Sequence, residues 1–295
     1  MGELLAVRWN IISMMIVFMG LLACNHKQVM QPAVLHDTPP KELLEIGIVQ
    51  SSISDIAWKN EKRAAYSITF DDARVSHWQI ADSLLRAAGI PATFFLNTKY
   101  LIKENVGNKN WWWSTWQALA DAGHEIGSHT YSHTPAYRLT PDEFREELRR
   151  SKQDILENIT GINDSLSFSF PESIAPDWSL PMVLEYFTSA RSVCGGFNRG
   201  AYHGTGLATL RCVFLNENSN MNVFNSYVDD AIRKRSWLIV GIHSISRQNE
   251  MGPNLIPQNW FQAHLKYVVS RKDYLWIAPQ GEIVRYIKSR DRNGN

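Results

Sequence analysis

Two acidic residues, Asp71 and Asp72, close the apolar run Tyr66-Ser67-Ile68-Thr69-Phe70, and further along two histidines, His129 and His133, stand in the pattern His-x-x-x-His. One carboxylate and two imidazoles are three ligands of the kind zinc accepts, and three protein ligands leave a position open for water or substrate. The spare carboxylate then stands beside the metal, where a general base is useful. That is the equipment of a hydrolase. Each half is modest alone, since adjacent acids commonly form a solvated turn or a helix cap and paired histidines commonly sit on a surface. The buried strand ahead of Asp71-Asp72 sharpens the reading, because two carboxylates at one strand end repel each other unless a cation or a shared proton relieves them. On a helical turn, His-x-x-x-His would put both rings on one face, able to chelate one ion.

Such side chains need a frame. From Glu61 onward apolar runs alternate with segments of helical period. The candidate strands are Ala64–Phe70, Ala92–Leu96, His124–Ser128, Leu166–Phe170, Ser189–Cys194, Thr209–Phe214, Trp237–Ile242 and Tyr274–Ile277. The clearest helix starts at Thr140-Pro141-Asp142-Glu143, with Thr as cap, Pro at the first helical position and Glu three residues after the cap. Phe144, Leu148, Ile155 and Ile159 then share one face. Ser114-Thr115-Trp116-Gln117 reads as a second capping box, on a helix that stops at Gly123. A third helix carries Trp78, Ala81, Leu85 and Ala88, and later ones fall near 221–235, 259–271 and 281–289. Repeated strand–helix alternation predicts an α/β fold with a parallel sheet, as a barrel or as a doubly wound open sheet. Both put functional residues at the C-terminal ends of strands. Asp71-Asp72, His129–His133, Pro171 and His243 all occupy such ends.

The chain has 295 residues, 44% hydrophobic and 20% charged, with a formal net charge of +1. It is long enough for a substantial core, and without a basic excess it offers nothing to nucleic acid. Residues 1–23 read as a signal peptide: Arg8 marks the basic region and Ile11–Ala23 is apolar and uncharged. Leu21-Leu22-Ala23-Cys24 resembles a bacterial lipobox, which implies cleavage before Cys24 and a lipid on its thiol. A plain secretory signal or an uncleaved anchor are the alternatives, and all three export the chain, the first to a membrane-anchored place facing periplasm or cell surface. Residues 24–60 read as a tether with short N-terminal elements, among them Leu43–Ile48. Residues 61–290 make the main domain and 291–295 a tail. Cys194 and Cys212 either pair as a disulfide or lie as thiols on neighbouring strands.

Thr69-Phe70-Asp71-Asp72 together with Ala122-Gly123-His124-Glu125-Ile126-Gly127-Ser128-His129-Thr130-Tyr131-Ser132-His133 resembles the first two motifs of the polysaccharide deacetylase family, the NodB homology domain. Leu238-Ile239-Val240-Gly241-Ile242-His243 is similar to the family's last motif. The resemblance runs from about 62 to 290. It implies a distorted (β/α) barrel of seven or eight strands and metal-dependent removal of acetyl groups from N-acetylated, or sometimes O-acetylated, sugars. Carried over residue by residue, it implies Asp71 as general base, Asp72, His129 and His133 as ligands of Zn²⁺ or another divalent transition metal, and His243 as general acid. Three departures stand out. Ala73 follows the paired acids where the family often has Gly, so the turn must avoid positive φ or carry strain. Phe168-Ser169-Phe170-Pro171-Glu172 keeps Pro171 but has Ser169 where the family usually has the arginine that orients the base. No acid is evident to tune His243: Asp229 and Asp230 fall on a helix, and Arg191 or a backbone carbonyl are other partners for it.

Trp111, Trp112 and Trp113 crowd one loop, and flat aromatic faces stack on sugar rings at little entropic cost. With Pro171 they are the substrate-binding candidates, whereas Trp116 reads as core. His124 reads as a structural histidine, and His77, His203 and His264 show no partner pattern. The expected partners are therefore an acetylated polysaccharide or oligosaccharide and, through Cys24, a membrane. Two further readings keep the fold: a carbohydrate O-acetyl esterase, or a catalytically impaired sugar-binding lipoprotein. The glycan and the metal stay open among peptidoglycan, chitin fragments, exopolysaccharide and xylan, and among Zn²⁺, Co²⁺, Ni²⁺ and Mn²⁺.

Overall fold

Seven parallel strands close on one another: β1 (Ala64–Phe70), β2 (Thr93–Leu96), β3 (Glu125–Ser128), β4 (Ser167–Ser169), β5 (Ser189–Cys194), β6 (Leu210–Phe214) and β7 (Trp237–Ile242), with β7 returning to β1. The structure is a computed structural model that describes residues 58–101, 112–199, 202, 204–248 and 250–292. A small parallel pair, β8 (Ser244–Ser246) and β9 (Leu255–Pro257), follows outside the barrel. The last strand, β10 (Leu275–Ile277), makes the barrel irregular. β7 runs along one edge of β1 from Ala65 to Phe70. The other edge is divided: β10 takes Ala64–Tyr66 and β2 takes only Thr69–Phe70. Of the two expected arrangements the closed, distorted barrel is the one formed.

The strands' outward side chains and the helices make the larger core, which includes Tyr66, Ile68, Phe70, Phe94, Phe144, Phe168 and Val240. The helices are α1 (Asp82–Ala88), α2 (Trp113–Asp121), α3 (Pro141–Asn158), α4 (Ser179–Tyr186), α5 (Met221–Arg233), α6 (Gln258–Val269) and α7 (Gln280–Arg292). α3 starts as its sequence predicts. Thr140 Oγ1 accepts from the Glu143 amide, the Glu143 carboxylate accepts from the Thr140 amide, and Phe144, Leu148 and Ile155 are buried. α2 differs from expectation. It begins at Trp113 with Trp112 as cap and no capping side chain. Gln117 turns outward to Asp121 and Thr160 instead of back to Ser114. α4, β8 and β9 are too short to show a period and were not expected.

Inward residues form a second cluster with Ala65, Leu210, Cys212, Trp237 and Ile239, joined by Ile283, Val284 and Ile287 of α7. At the N-terminal end of the barrel the Glu125 carboxylate accepts from Thr93 Oγ1 (2.7 Å), Ser167 Oγ (2.7 Å) and the Gly281 amide (2.8 Å). A negative charge is favourable there, at the start of α7. Two glycines let large rings fill the lumen above this plug. A Cβ on Gly127 would lie 2.7 Å from the Phe95 ring, and one on Gly241 2.7 Å from the Phe214 ring. Polar groups thus close one end, and the opposite end is left to the strand–helix turns.

Candidate active site

The turn after β1 is anchored where the Asp71 amide donates to the Ile242 carbonyl at 3.1 Å. The chain then takes positive φ at Asp72 (76°) and Ala73 (51°). Of the two outcomes open to a turn with Ala73, this is the strained one, at roughly 1–2 kcal/mol per non-glycine residue. The turn after β3 is not helical. Thr130 and His133 have φ of 69° and 65°, so loop geometry, not helical spacing, brings the two imidazoles together. Short bonds hold that loop: Thr130 N–H to Ser128 Oγ (3.2 Å), His133 N–H to Thr130 Oγ1 (2.9 Å), and Ser132 N–H to Glu147 of α3 (2.6 Å).

Asp72 Oδ1 lies 3.4 Å from His129 Nε2 and 3.0 Å from His133 Nε2, and one ligand atom from each residue falls within 4.8 Å of the others. Among the described residues this is the cluster of His, Cys, Asp and Glu able to hold a metal ion. The donor set passes a chemical test. His129 Nδ1 is 2.7 Å from the Ser169 carbonyl. A carbonyl only accepts, so Nδ1 carries the proton and the neutral ring turns a lone pair at Nε2 toward Asp72. Asp72 Oδ1 is buried and has no hydrogen-bond partner. The Asp72 Oδ1 and His129 Nε2 lone pairs at 3.4 Å, with His133 Nε2 3.0 Å from the same oxygen, suit a cation, because donors about 2.1 Å from one ion are about 3.0–3.4 Å apart at right to tetrahedral angles. The other carboxylate oxygen, Oδ2, is held by Arg74 at 2.8 and 3.2 Å. Burial pushes the Asp72 carboxyl up, but the imidazoles of His129 and His133 outweigh it and hold it far below the usual carboxylate range. At His129 burial opposes positive charge, and Asp71 and Asp72 more than offset it. The site favours positive charge, whether proton or metal ion.

Asp71 has its own partner. Arg191, fully buried on β5, donates from one guanidinium nitrogen to both Asp71 oxygens and to Ser169 Oγ at 2.9 Å. Its guanidinium lies between the Phe95 and Phe214 rings, 5.5 and 5.0 Å from their centroids. Burial raises the Asp71 pKa, but Arg191, with His129 and His243 behind it, outweighs that and holds the carboxyl below its ordinary value. Ser169 and Arg191 are register partners on neighbouring strands. The guanidinium missing from β4 is therefore supplied one strand over. Arg191 serves Asp71, and so is not the partner of His243, for which the sequence leaves Arg191 and a backbone carbonyl both open. Its signal was available: it is the one charged residue in the run Ser189–Cys194, and a buried arginine needs a carboxylate.

His243 follows β7, half-buried and stacked on Phe214 with ring centroids 5.2 Å apart. Burial lowers its pKa, only partly opposed by Asp71 and Asp72. Asp229 and Asp230 are elsewhere, the first bound to Arg271 and Tyr267, the second to Arg233 and Lys234. Pro171 is buried at the start of a tight turn in which Glu172 has φ 58°. Trp113 requires a correction. Only 8% exposed, it packs in the larger core with Trp116, because α2 is capped at Trp112, two residues before the expected cap Ser114. It presents no face to a sugar. Trp112 is half-buried at the head of α2, and Trp111, Cys24 and the N-terminal segments lie outside the described residues. His124 is structural, accepting from the Ala92 amide and facing Asp82. His264 is buried between Tyr66 and Asn225. Cys212 is a free, buried thiol, so it does not pair with Cys194, its register partner on β5.

Comparison with known proteins agrees with this geometry. Residues 59–183 match the family model described as polysaccharide deacetylase. Over 254 residues the chain is 28% identical to a gellan lyase from a Bacillus species. That match covers 79% of this chain but only 10% of the relative, so the chain spans about a tenth of the length of that curated protein. The fold is that of a solved putative polysaccharide deacetylase from Mycobacterium smegmatis, with a TM-score of 0.61 at 14% identity, covering 82% of this chain and 96% of that one. Residues 59–183, which match the polysaccharide deacetylase family model, contain both motifs that meet at the site, Thr69–Asp72 and His129–His133, together with strands β1 to β4 of the distorted barrel.

Proposed function

We propose that the protein is a metal-dependent hydrolase that removes acetyl groups from acetylated carbohydrate. The observation that carries this is the meeting of Asp72, His129 and His133 around one buried, unpartnered carboxylate oxygen, with Asp71 and His243 within electrostatic reach. Asp72, His129 and His133 would hold a divalent ion such as Zn²⁺. When bound, such an ion acts as a Lewis acid toward water and the acetyl carbonyl.

The chain's own residues do the rest. Asp71 takes the proton of the attacking water, and Arg191 keeps that carboxylate ionised and fixed in direction. The Ser169 carbonyl fixes the His129 tautomer, so that Nε2 is free to ligate. His243 gives a proton to the departing nitrogen, a poor leaving group without one. Its lowered pKa makes it a ready donor once protonated. With Arg191 on Asp71, Ser169 is no longer a reason to read the chain as a sugar-binding protein with a residual site.

The same histidine favours a second reading. Burial keeps His243 neutral near neutral pH, which suits an alcohol leaving group, so O-acetyl esters belong in the substrate panel. Acetate release from N- and O-acetylated glycans, with and without chelator and with Asp71→Asn, tests the proposal. A chelator-sensitive rate that the substitution abolishes is expected. A chelator-insensitive rate, or an unaffected variant, would overturn it. We also propose that Cys24 is lipidated and holds the exported domain at a membrane. Lipid labelling that Cys24→Ala removes is the expected result.

A further inference from the structure

His77 is fully buried against Phe70, Phe94 and Trp116, with ring centroids 5.1, 5.6 and 6.2 Å away. A phenyl ring would pack there without desolvating two nitrogens. Nε2 lies 2.6 Å from the backbone carbonyl of His243. It must therefore carry the proton, and Nδ1, buried with a lone pair, has no hydrogen-bond partner. Burial holds the imidazole pKa down at about 4, so the ring is neutral. An orphaned nitrogen costs stability that phenylalanine would not lose. What the imidazole adds is the bond to His243.

That bond is one of three. The Ile245 amide donates to Ser76 Oγ at 3.1 Å, and Arg247 donates to the Gln79 carbonyl at 2.7 Å. Residues 77–81 wind as a π-helical turn ahead of α1. Such turns are rare and recur at functional sites, because they release carbonyls from the helical ladder and re-aim side chains. Here the turn directs Ser76, His77 and Gln79 at one short segment, 243–247. The same stretch of chain begins with Asp71 and Asp72.

We propose that Ser76, His77 and the Gln79 carbonyl form a clamp that fixes His243 relative to Asp71 and Asp72, with His77 as its central positioning residue. The clamp ties the proton donor to the segment that carries the base and a metal ligand, so that acid and base keep register at the neighbouring ends of β7 and β1. This rests on the reading of His243 as general acid.

The test compares His77→Phe, His77→Gln and His243→Ala in the full-length, zinc-loaded protein on two substrates. One is an N-acetylated oligosaccharide. The other is 4-nitrophenyl acetate, whose phenolate leaves without a proton. His77→Phe should lower kcat on the amide by about 10- to 100-fold, the scale of a misplaced catalytic group, with KM within about twofold. Activated-ester turnover and bound zinc should stay near the wild-type level. His77→Gln, which can still donate, should recover part of the loss. Equal loss on both substrates would mean a merely structural role and overturn the proposal, as would an unchanged amide rate. If His77→Phe does not fold, Ser76→Ala must show the same split at smaller size, and its absence counts against the clamp. His243→Ala separates the two claims. If it leaves amide turnover intact, the acid assignment fails; if it abolishes turnover while His77→Phe does not lower it, only the clamp fails.

Discussion

Replacing Arg191 with methionine isolates what the relocated guanidinium does. Both side chains of the Arg191–Asp71 pair are almost fully buried, and methionine fills much of the space without the charge. Removing one partner of a buried ion pair leaves the other uncompensated, at about 3–5 kcal/mol. The effect depends on pH with a definite sign. In the wild type the folded pKa of Asp71 is depressed, so its contribution to stability is present above the unfolded value and is lost as pH falls through the folded one. In the variant burial dominates and the folded pKa rises above the unfolded value. Stability is then retained at low pH and lost as pH rises through the raised value. Arg191→Met should therefore melt furthest below wild type at about pH 8, less far below it at about pH 5, and close to it only once pH falls through the depressed wild-type value, the reverse of ordinary acid denaturation. Because an adjacent arginine lowers a carboxyl pKa by about 1–3 units, the acid limb of kcat/KM should move up by a similar amount. Thermal melts at the two pH values and acetate release across pH 4–9 measure both effects. Equal melts at high pH, or an unmoved acid limb, would refute the reasoning. The double variant S169R/R191S is the complement. Positions 169 and 191 are register partners, and Ser169 Oγ touches the same guanidinium nitrogen that holds Asp71, so a guanidinium returned to β4 should restore the acid limb that R191S alone displaces.

Three further outcomes follow from the same contacts. Asp72→Asn and His133→Ala should each weaken zinc binding by more than about tenfold, read as metal content after dialysis against a buffered zinc solution. Thr140→Ala removes the side-chain half of the α3 capping box and leaves Glu143 its bond from the residue-140 amide; it should cost about 1 kcal/mol in urea unfolding, with kcat unchanged because the contacts of α3 to the site loop, from Glu147, Arg150 and Ser151, lie further along the helix. Gly127→Ala would push a Cβ to 2.7 Å from Phe95 and 2.8 Å from the Ser167 carbonyl. Backbone cannot yield there, so a loss of about 1–3 kcal/mol is expected, together with a lower kcat because Phe95 packs on Arg191.

How far this molecule could be read beforehand depended on whether a feature lives along the chain or across it. Strands β1, β5 and β7 have the bounds their apolar runs predict, since parallel strands buried on both faces leave unbroken hydrophobic stretches. The capping box of α3 is local and was legible; the one at Ser114 matched the same pattern and does not form, because core packing of Trp113 and Trp116 sets where α2 begins. The pairing of Asp72 with His129 and His133 could be anticipated because each falls at a strand end, but a barrel and an open sheet put strand ends on one rim alike. What makes the two imidazoles converge, positive φ at Thr130 and His133, leaves no mark in residues that are neither glycine nor asparagine. Arg191 is the sharpest case. Along the chain, Ser169 is a missing arginine and Arg191 an oddly charged strand residue, and nothing joins them. In the barrel the two lie side by side, so moving the guanidinium one strand over keeps the contact with Asp71 while erasing the motif. A motif records which strand supplies a charge; Asp71 responds only to where the charge ends up.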